Sequence, residues 1–298
     1  MKNFALIGVA GFVAPRHLQA IRDTKNTMLA ALDRSDTVGV MDSYFPNADF
    51  FTEFERFDRH LDKLKRQGKK IDYVSICSPN YLHDSHIRFA LRIGADAICE
   101  KPLVLNPWNA DALAEIEKET GKKVYAILQL RLHPAIIELR NSVMNLPPQK
   151  HLVNLLYITS RGRWYHNSWK GTAEKSGGIA TNIGIHFFDM LIWVFGKMTS
   201  MEVTALEHDW AAGVLELERA SVNWKLSINY EHLPAEAKAA GKRTFRTLNM
   251  DGKEIEFSDG FTELHTKSYQ SILEGKGFGL GDARPAIELA HQIRNWKN

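Results

Sequence analysis

The apolar and polar positions of this chain follow two rhythms, one after the other. Through the first third, short apolar runs with little alternation are separated by helical stretches. Runs 4–9, 28–32, 73–78, 96–100 and 124–130 read as strands. A helix opens at Pro15 with Leu18 and Ile21 on one side, and others span 57–67 (stopped by Gly68), 80–94 (with Asn80 as cap) and 109–120. Strands apolar on both faces, alternating with helices, specify a doubly wound parallel sheet of Rossmann type. A helix over 133–145 and the break at Pro147-Pro148 end this rhythm. Longer strands follow at 152–160, 199–207, 213–219 and 222–230, interrupted by one apolar helix over 179–195. Residues 233–243 are polar, alanine-rich and expected to be mobile, and helices over 261–273 and 284–296 close the chain. The expectation is an α/β protein: residues 1–125 a nucleotide-binding domain, and 126–298 an α+β domain with an open, largely antiparallel sheet. Such a sheet needs cover on both faces, which implies a broad subunit interface.

Composition narrows the function without fixing it. The 298 residues are 44% hydrophobic and 24% charged with net charge +3, a globular composition. The net charge is too small to argue for nucleic acid and no basic cluster with interleaved aromatics appears, so no nucleic-acid partner is expected. The chain starts directly with a strand and shows no signal peptide, and no apolar stretch reaches the roughly 20 residues of a membrane span. Cys77 and Cys99 have neither disulfide nor metal spacing; they read as small core residues on adjacent strands, and a reducing cytoplasm is the expected compartment. No metal site is expected.

Chemistry is concentrated in a few segments. Gly8-Val9-Ala10-Gly11-Phe12-Val13-Ala14-Pro15 stands between a strand and a helix, an imperfect form of the glycine fingerprint that lays a pyrophosphate on a helix N-terminus. Asp33 ends the second strand, where a carboxylate accepts from both ribose hydroxyls and repels a 2′-phosphate; NAD is therefore expected over NADP, with Arg34 a competing attraction for that phosphate. Asp33 is otherwise a turn residue. Ser78-Pro79-Asn80, with His83 in the turn beyond, is either a turn with its cap or a loop against the cofactor. Glu100-Lys101-Pro102 ends a buried strand, and alcohol oxidation needs a group that takes the hydroxyl proton as hydride leaves. Downstream, Gly177-Gly178 precedes a helix on which Asn182 and His186 share one face among Ile183, Phe187, Met190 and Val194. Two inward polar groups on so apolar a helix call for a function. Asp189 either orients His186 or packs structurally. Arg161 to Gly171 joins cations and aromatics in one span and reads as an anion and ring clamp, or as packing on a partner subunit; Arg131 adds a further cation.

These residues resemble the glucose–fructose oxidoreductase / inositol dehydrogenase superfamily, on the E-K-P tripeptide and the G-G-x-x-x-N-x-G-x-H-x-x-D run. Many members have aspartate where this chain has Asn182, which shifts the proton handling to Lys101 and His186. The segments APRH (14–17), QLRLHP (129–134) and RGRWYHNSWKG (161–171) are similar to those of bacterial UDP-N-acetylglucosaminuronic acid 3-dehydrogenases of lipopolysaccharide sugar synthesis. The resemblance implies oxidation of a UDP-sugar uronate at its 3-hydroxyl, tightly held NAD recycled by 2-oxoglutarate, and a homotetramer. It implies Lys101 and His186 as catalytic, with Lys101, Arg131, Arg163, Tyr165, Asn182 and His186 on the substrate. To the cofactor it assigns Gly8, Gly11, Phe12, Val13, Asp33, Arg34, Ser78, Pro79, Asn80, His83, Glu100, Lys101, Gln129, Trp169 and Lys170. Two other readings are open: a dehydrogenase of a free polyol or aldose, and a non-catalytic NAD-binding regulator.

Overall fold

The structure, a computed structural model, describes residues 1–257, 261 and 263–297. It divides into two compact units, Met1–Gln129 with Thr262–Arg284, and Leu130–Phe261 with Pro285–Asn298. The boundary expected at 125/126 thus lies four residues later, and the chain returns to the first unit near its end.

The first unit holds six strands: β1 (Asn3–Ile7), β2 (Thr27–Leu32), β3 (Asp49–Phe51), β4 (Tyr73–Ile76), β5 (Asp96–Cys99) and β6 (Val124–Ala126). They form one sheet in the order β3-β2-β1-β4-β5-β6, every pair parallel. Helices α1 (Ala14–Asp23), α2 (Phe54–Arg66), α3 (His83–Arg92) and α4 (Pro107–Thr120) make the crossovers. Phe4, Leu6, Leu18, Ile21 and Ile98 build the core on one side. Strand order reverses between β1 and β4, the place where doubly wound sheets bind their ligands beyond the strand ends. Gly8 makes the crossing there possible. Its φ is +91°, and a Cβ would stand 2.6 Å from the backbone of Cys77 and Ser78.

The second unit begins with α5 (Pro134–Asn145) and β7 (His151–Thr159), followed by the short helices α6 (Arg163–Asn167) and α7 (Ala173–Ser176) and by α8 (Ile185–Phe195). Then come β8 (Met198–Leu206), β9 (Trp210–Leu217), β10 (Ala220–Ser227), α9 (Ala235–Ala239), β11 (Thr244–Met250) and β12 (Lys253–Glu254). The sheet order is β12-β11-β7-β10-β9-β8; β7 and β10 run parallel and every other pair is antiparallel. Alternate residues of β9 and β10, including Leu215, Leu217, Val222, Trp224 and Leu226, are buried against α5 and α8. Trp224 meets Phe188 edge-on at 5.4 Å. Helix α10 (Leu264–Leu273) belongs to the first unit, where Tyr269 and Ile272 join the core, and the unit boundary falls inside α11 (Leu280–Arg294), at its Pro285.

Several expectations need correction. The stretch 233–243, for which no element was expected, contains α9. The helix expected over 261–273 begins at Leu264; Thr262 lies outside the described residues. The clamp segment 161–171, for which no element was expected, forms α6 and a 3₁₀ turn, Trp169–Gly171. One run, Ala173–Phe195, is long and apolar enough to cross a membrane by length and composition, against the expectation that none is, and 72% of that window is buried. Phe188, Met190, Leu191, Val194 and Phe195 account for it as core of the second unit.

Gly213 tests the packing of that sheet. A Cβ there would fall on the Glu202 carbonyl of β8 and 2.9 Å from the Trp224 ring. Gly213→Ala should cost about 1–3 kcal/mol through overpacking, read as a lower urea midpoint at constant slope. An unchanged midpoint would mean that β8 and Trp224 yield freely.

Candidate active site

Five segments meet at the C-terminal edge of the first sheet: Gly8 after β1, Asp33 after β2, Ser78 to Asn80 after β4, Glu100 and Lys101 after β5, and Gln129 beyond β6. The structure therefore brings together the cofactor residues expected in this unit. The turn Gly8 to Val13 leads into α1, whose N-terminus has no capping side chain, and Pro15 in its first turn has no N–H to leave unpaired. Phe12 is 94% exposed on this turn. A glycine turn without bulk, followed by an uncapped helix N-terminus, fits a dinucleotide pyrophosphate.

Asp33 ties this turn in place. Its Oδ2 accepts from the Ala10 N–H and its Oδ1 from the Ser35 N–H, both at 2.9 Å. Each carboxylate oxygen keeps a lone pair for a ribose hydroxyl, so the turn role and the ribose role are compatible. Arg34 is exposed. Asn80 is not a helix cap as expected; it is buried as the first residue of a 3₁₀ turn ahead of α3. His83 opens α3, in the turn where it was expected. Its ring is 1% exposed and spans the Ser78 carbonyl, 2.8 Å from Nε2, and the Pro102 carbonyl, 2.7 Å from Nδ1. It lies between the two loops, and as a neutral imidazole it donates to one of these carbonyls.

Glu100 turns inward. Its Oε1 accepts from Nε2 of His17 on α1 and from Nε2 of His265 on α10, each at 2.9 Å. Nδ1 of His17 is 2.7 Å from the Tyr269 hydroxyl, which is 2.6 Å from Ser75 Oγ. Burial favours the neutral acid, but the two imidazole hydrogen bonds outweigh it and hold the Glu100 carboxyl well below its usual range. Lys101, the next residue, is half-buried. Gln129 is 9% exposed, and its Oε1 has no hydrogen-bond partner, an acceptor that a bound carboxamide or hydroxyl would satisfy.

In the second unit, residues Ala180–Gly184 form a π turn that runs into α8. Such turns often accompany functional sites. From Ala180 to Leu191, only Asn182 and His186 escape full burial. Asn182 Nδ2 donates to the hydroxyl of the buried Tyr165 at 2.7 Å. Around it, the Lys170 ammonium stands 5.4 Å from the ring centroids of Trp164 and Trp169, and the Arg161 guanidinium 6.0 Å from that of Tyr165. Arg163 is exposed on α6. Among the described residues, Arg161, Arg163 and Lys170 have no carboxylate partner within ion-pair distance. Burial, and then Arg161, lowers the proton affinity of Lys170. This cluster would be relieved by an anion.

Arg131 does not supply the additional cation expected of it. Its Nε and Nη2 are bound to the two Asp189 oxygens at 3.0 and 2.7 Å, and the pair is almost fully buried. Asp189 neutralises that charge. Cys77 and Cys99 are buried as expected, and burial raises both thiols. The sequence did not single out His17, His265, Tyr269 and Ser75 as site residues. A signal was available: His17 falls in register with Ala14, Leu18 and Ile21 on the buried face of α1.

A parallel Rossmann sheet with a glycine crossing, an inward carboxylate next to a strand-end lysine, and a second unit bearing a polar pair on an apolar helix define an NAD-dependent oxidoreductase. Residues 2–127 match the family model "Oxidoreductase family, NAD-binding Rossmann fold" and residues 151–230 match "Oxidoreductase family, C-terminal alpha/beta domain". The chain belongs to this glucose–fructose oxidoreductase / inositol dehydrogenase family. It is similar to the WlbA (WbpB) dehydrogenase of Thermus thermophilus, solved with NAD and alpha-ketoglutarate: 49% identity, TM-score 0.97, covering 100% of this chain and 96% of that one. The same dehydrogenase with NAD and UDP-GlcNAcA gives 48% identity and a TM-score of 0.96. Among curated proteins, the D-glucoside 3-dehydrogenase of Escherichia coli is 30% identical over 46% of this chain, and the glucose-6-phosphate 3-dehydrogenase of Bacillus subtilis 27% over 65%. The chain spans 39% and 54% of the length of these two relatives.

Burial lowers the proton affinity of His17, His83 and His86 below the ordinary 6.5, that of His86 to about 4 with a further push from His83. Once unfolded, these rings titrate at their ordinary value, so between pH 6.5 and 4 the unfolded chain binds more protons than the folded one. Stability should be full above pH 6.5 and fall as the pH drops. Calorimetry from pH 7.5 to 5 should show a falling Tm, partly flattened by His86→Asn. A Tm constant over that range would mean that the folded protein already carries these rings charged.

Proposed function

We propose that this chain oxidises the 3-hydroxyl of UDP-N-acetyl-D-glucosaminuronic acid to the 3-keto sugar with NAD, and that 2-oxoglutarate reoxidises the NADH in place. The observation that carries this is the near-50% identity, over the whole chain, to a dehydrogenase solved with NAD and either of these two molecules. Two curated relatives are named as 3-dehydrogenases, which supports attack at C3. The uncompensated cations Arg161, Arg163 and Lys170 support a charged substrate over a free polyol.

NAD, when bound, supplies the hydride acceptor. The protein's residues manage position and protons. Lys101 and His186 take the hydroxyl proton as the carbon loses hydride, and one of them returns it to the oxo acid's carbonyl oxygen in the second half of the cycle. Asn182, fixed by Tyr165, holds the pyranose. Arg163 meets a phosphate or carboxylate by charge-assisted hydrogen bonds. Asp33 reads the ribose, and the turn from Gly8 to Val13 cradles the pyrophosphate. The enzyme would act in the cytoplasm, in synthesis of a lipopolysaccharide sugar, as a homotetramer assembled through the open sheet of the second unit. Leu152, 65% exposed on β7, supports such an interface.

Purified enzyme given UDP-N-acetylglucosaminuronic acid and 2-oxoglutarate, with no added NAD, should make 3-keto sugar and 2-hydroxyglutarate in equal amounts by mass spectrometry. Turnover that needs free NAD and ignores 2-oxoglutarate would reject in-place recycling. Preference for glucose or inositol would favour the polyol reading, and no NADH with any sugar a regulator. Lys101→Met should abolish single-turnover NADH formation while NAD stays bound, and His186→Asn should slow it by roughly 10²–10⁴-fold. A normal rate in either variant removes that residue from the chemistry.

A further inference from the structure

Lys101 is bracketed by two buried anchors. On one side the Glu100 N–H donates to the Ile76 carbonyl at 3.0 Å, and the Glu100 side chain is gripped by His17 and His265. On the other, the Pro102 carbonyl stands 2.7 Å from Nδ1 of the buried His83. Three histidines from α1, α3 and α10 thus converge on the tripeptide that carries the lysine. The polarity of the network is fixed by chemistry. A carboxylate only accepts, so both Nε2 atoms donate to Oε1. Neutral His17 then accepts at Nδ1 from the Tyr269 hydroxyl, which in turn accepts from Ser75. His17, His265 and Tyr269 are each 2% exposed or less. A charge buried at this depth is costly unless paired, and nothing in the packing of β5 requires a carboxylate at this position.

We propose that His17 and His265, acting through Glu100, are positioning residues for Lys101. The bridge pins the strand end from inside the fold, so that the lysine emerges from one fixed backbone position, and it keeps a permanent negative charge one residue away. This rests on the assignment of Lys101 to proton handling. His265 Nδ1 is buried without a hydrogen-bond partner, so His265 bonds through Nε2 alone, and its removal tests that one bond.

The variants are His265→Leu, His265→Gln and Glu100→Gln. Glutamine at 265 places an amide N–H near the lost Nε2; glutamine at 100 keeps the shape and removes the charge. Each is assayed for NAD content, sugar KM and single-turnover rate per NAD-loaded site, with Lys101→Met alongside. The expected result is a rate loss of about 10²-fold in His265→Leu and Glu100→Gln, the scale of a catalytic group displaced by about 1 Å, with KM and NAD content kept and most of the rate restored in His265→Gln. A wild-type rate in His265→Leu overturns the proposal, whereas a wild-type rate in Glu100→Gln removes only the contribution of the charge, because an amide oxygen still accepts both imidazole bonds. Equal loss in the leucine and glutamine variants of His265 also overturns the proposal, as does a stoichiometric metal ion in the purified protein, since the same three donors could ligate one. A normal rate in Lys101→Met overturns the lysine assignment itself; a dead Lys101→Met beside unimpaired bridge variants overturns only the positioning.

Discussion

A carboxylate buried in the heart of a Rossmann sheet governs the architecture of the first unit. Glu100 follows a strand whose Ala97, Ile98 and Cys99 are wholly inaccessible, and its own side chain is 9% exposed. Left unpaired, such a charge would protonate or unfold its surroundings. The donors that prevent this come from opposite ends of the sequence, His17 on the first helix and His265 on the tenth. The unit therefore cannot close with residues 1–129 alone. The return of the chain over 262–284, which brings α10 against α1 with Tyr269 in the shared core, supplies the second donor and the hydroxyl that orients the first.

The second unit treats polarity differently. Its central helix is apolar around nearly its whole circumference and is consumed as core. Against that background Asn182, in the π turn Ala180–Gly184, and His186, in the first turn of α8, occupy the two incompletely buried positions of the segment 180–191. Gly177 and Gly178, with φ of +83° and +72°, form the bend ahead of it, and a Cβ on Gly177 would strike Thr181. The glycine pair reads more directly as a condition for this bend than as a ligand contact.

Much of this was legible in the sequence. Four apolar runs of the first hundred residues are strands, and the run 124–130 is one over Val124–Ala126 before a 3₁₀ turn, because parallel strands covered on both faces are apolar throughout, a pattern that survives without tertiary knowledge. β3, an edge strand of three residues, and β11, with the mixed pattern Thr-Phe-Arg-Thr-Leu-Asn-Met, were not recognised; such strands owe their pairing to their neighbours rather than to their composition. The allegiance of α10 was hidden for a related reason. An amphipathic helix announces that it has a buried face but not which core receives it. Partner choice was the least legible property. Arg131 and His83 were singled out by residue type, yet one is neutralised by Asp189 and the other is buried between two backbone carbonyls. Only the folded chain shows which polar groups have already found each other.

That distinction decides which charges can select a ligand. A buried pair such as Arg131–Asp189 presents little net field, and its desolvation has been met within the fold. Arg161, Arg163 and Lys170 are in the opposite condition. Arg161 lies over Tyr165 and Lys170 over Trp164 and Trp169, ring faces that hold cations by their quadrupoles without cancelling the charge. Lys170 already binds its proton less tightly because burial and Arg161 disfavour the charged form. An entering phosphate or carboxylate would reverse both penalties, so the ammonium gains more from an anion than a fully hydrated surface lysine would. Selection for a charged sugar can therefore reside in a segment whose aromatic groups keep its cations ordered and uncompensated before the ligand arrives.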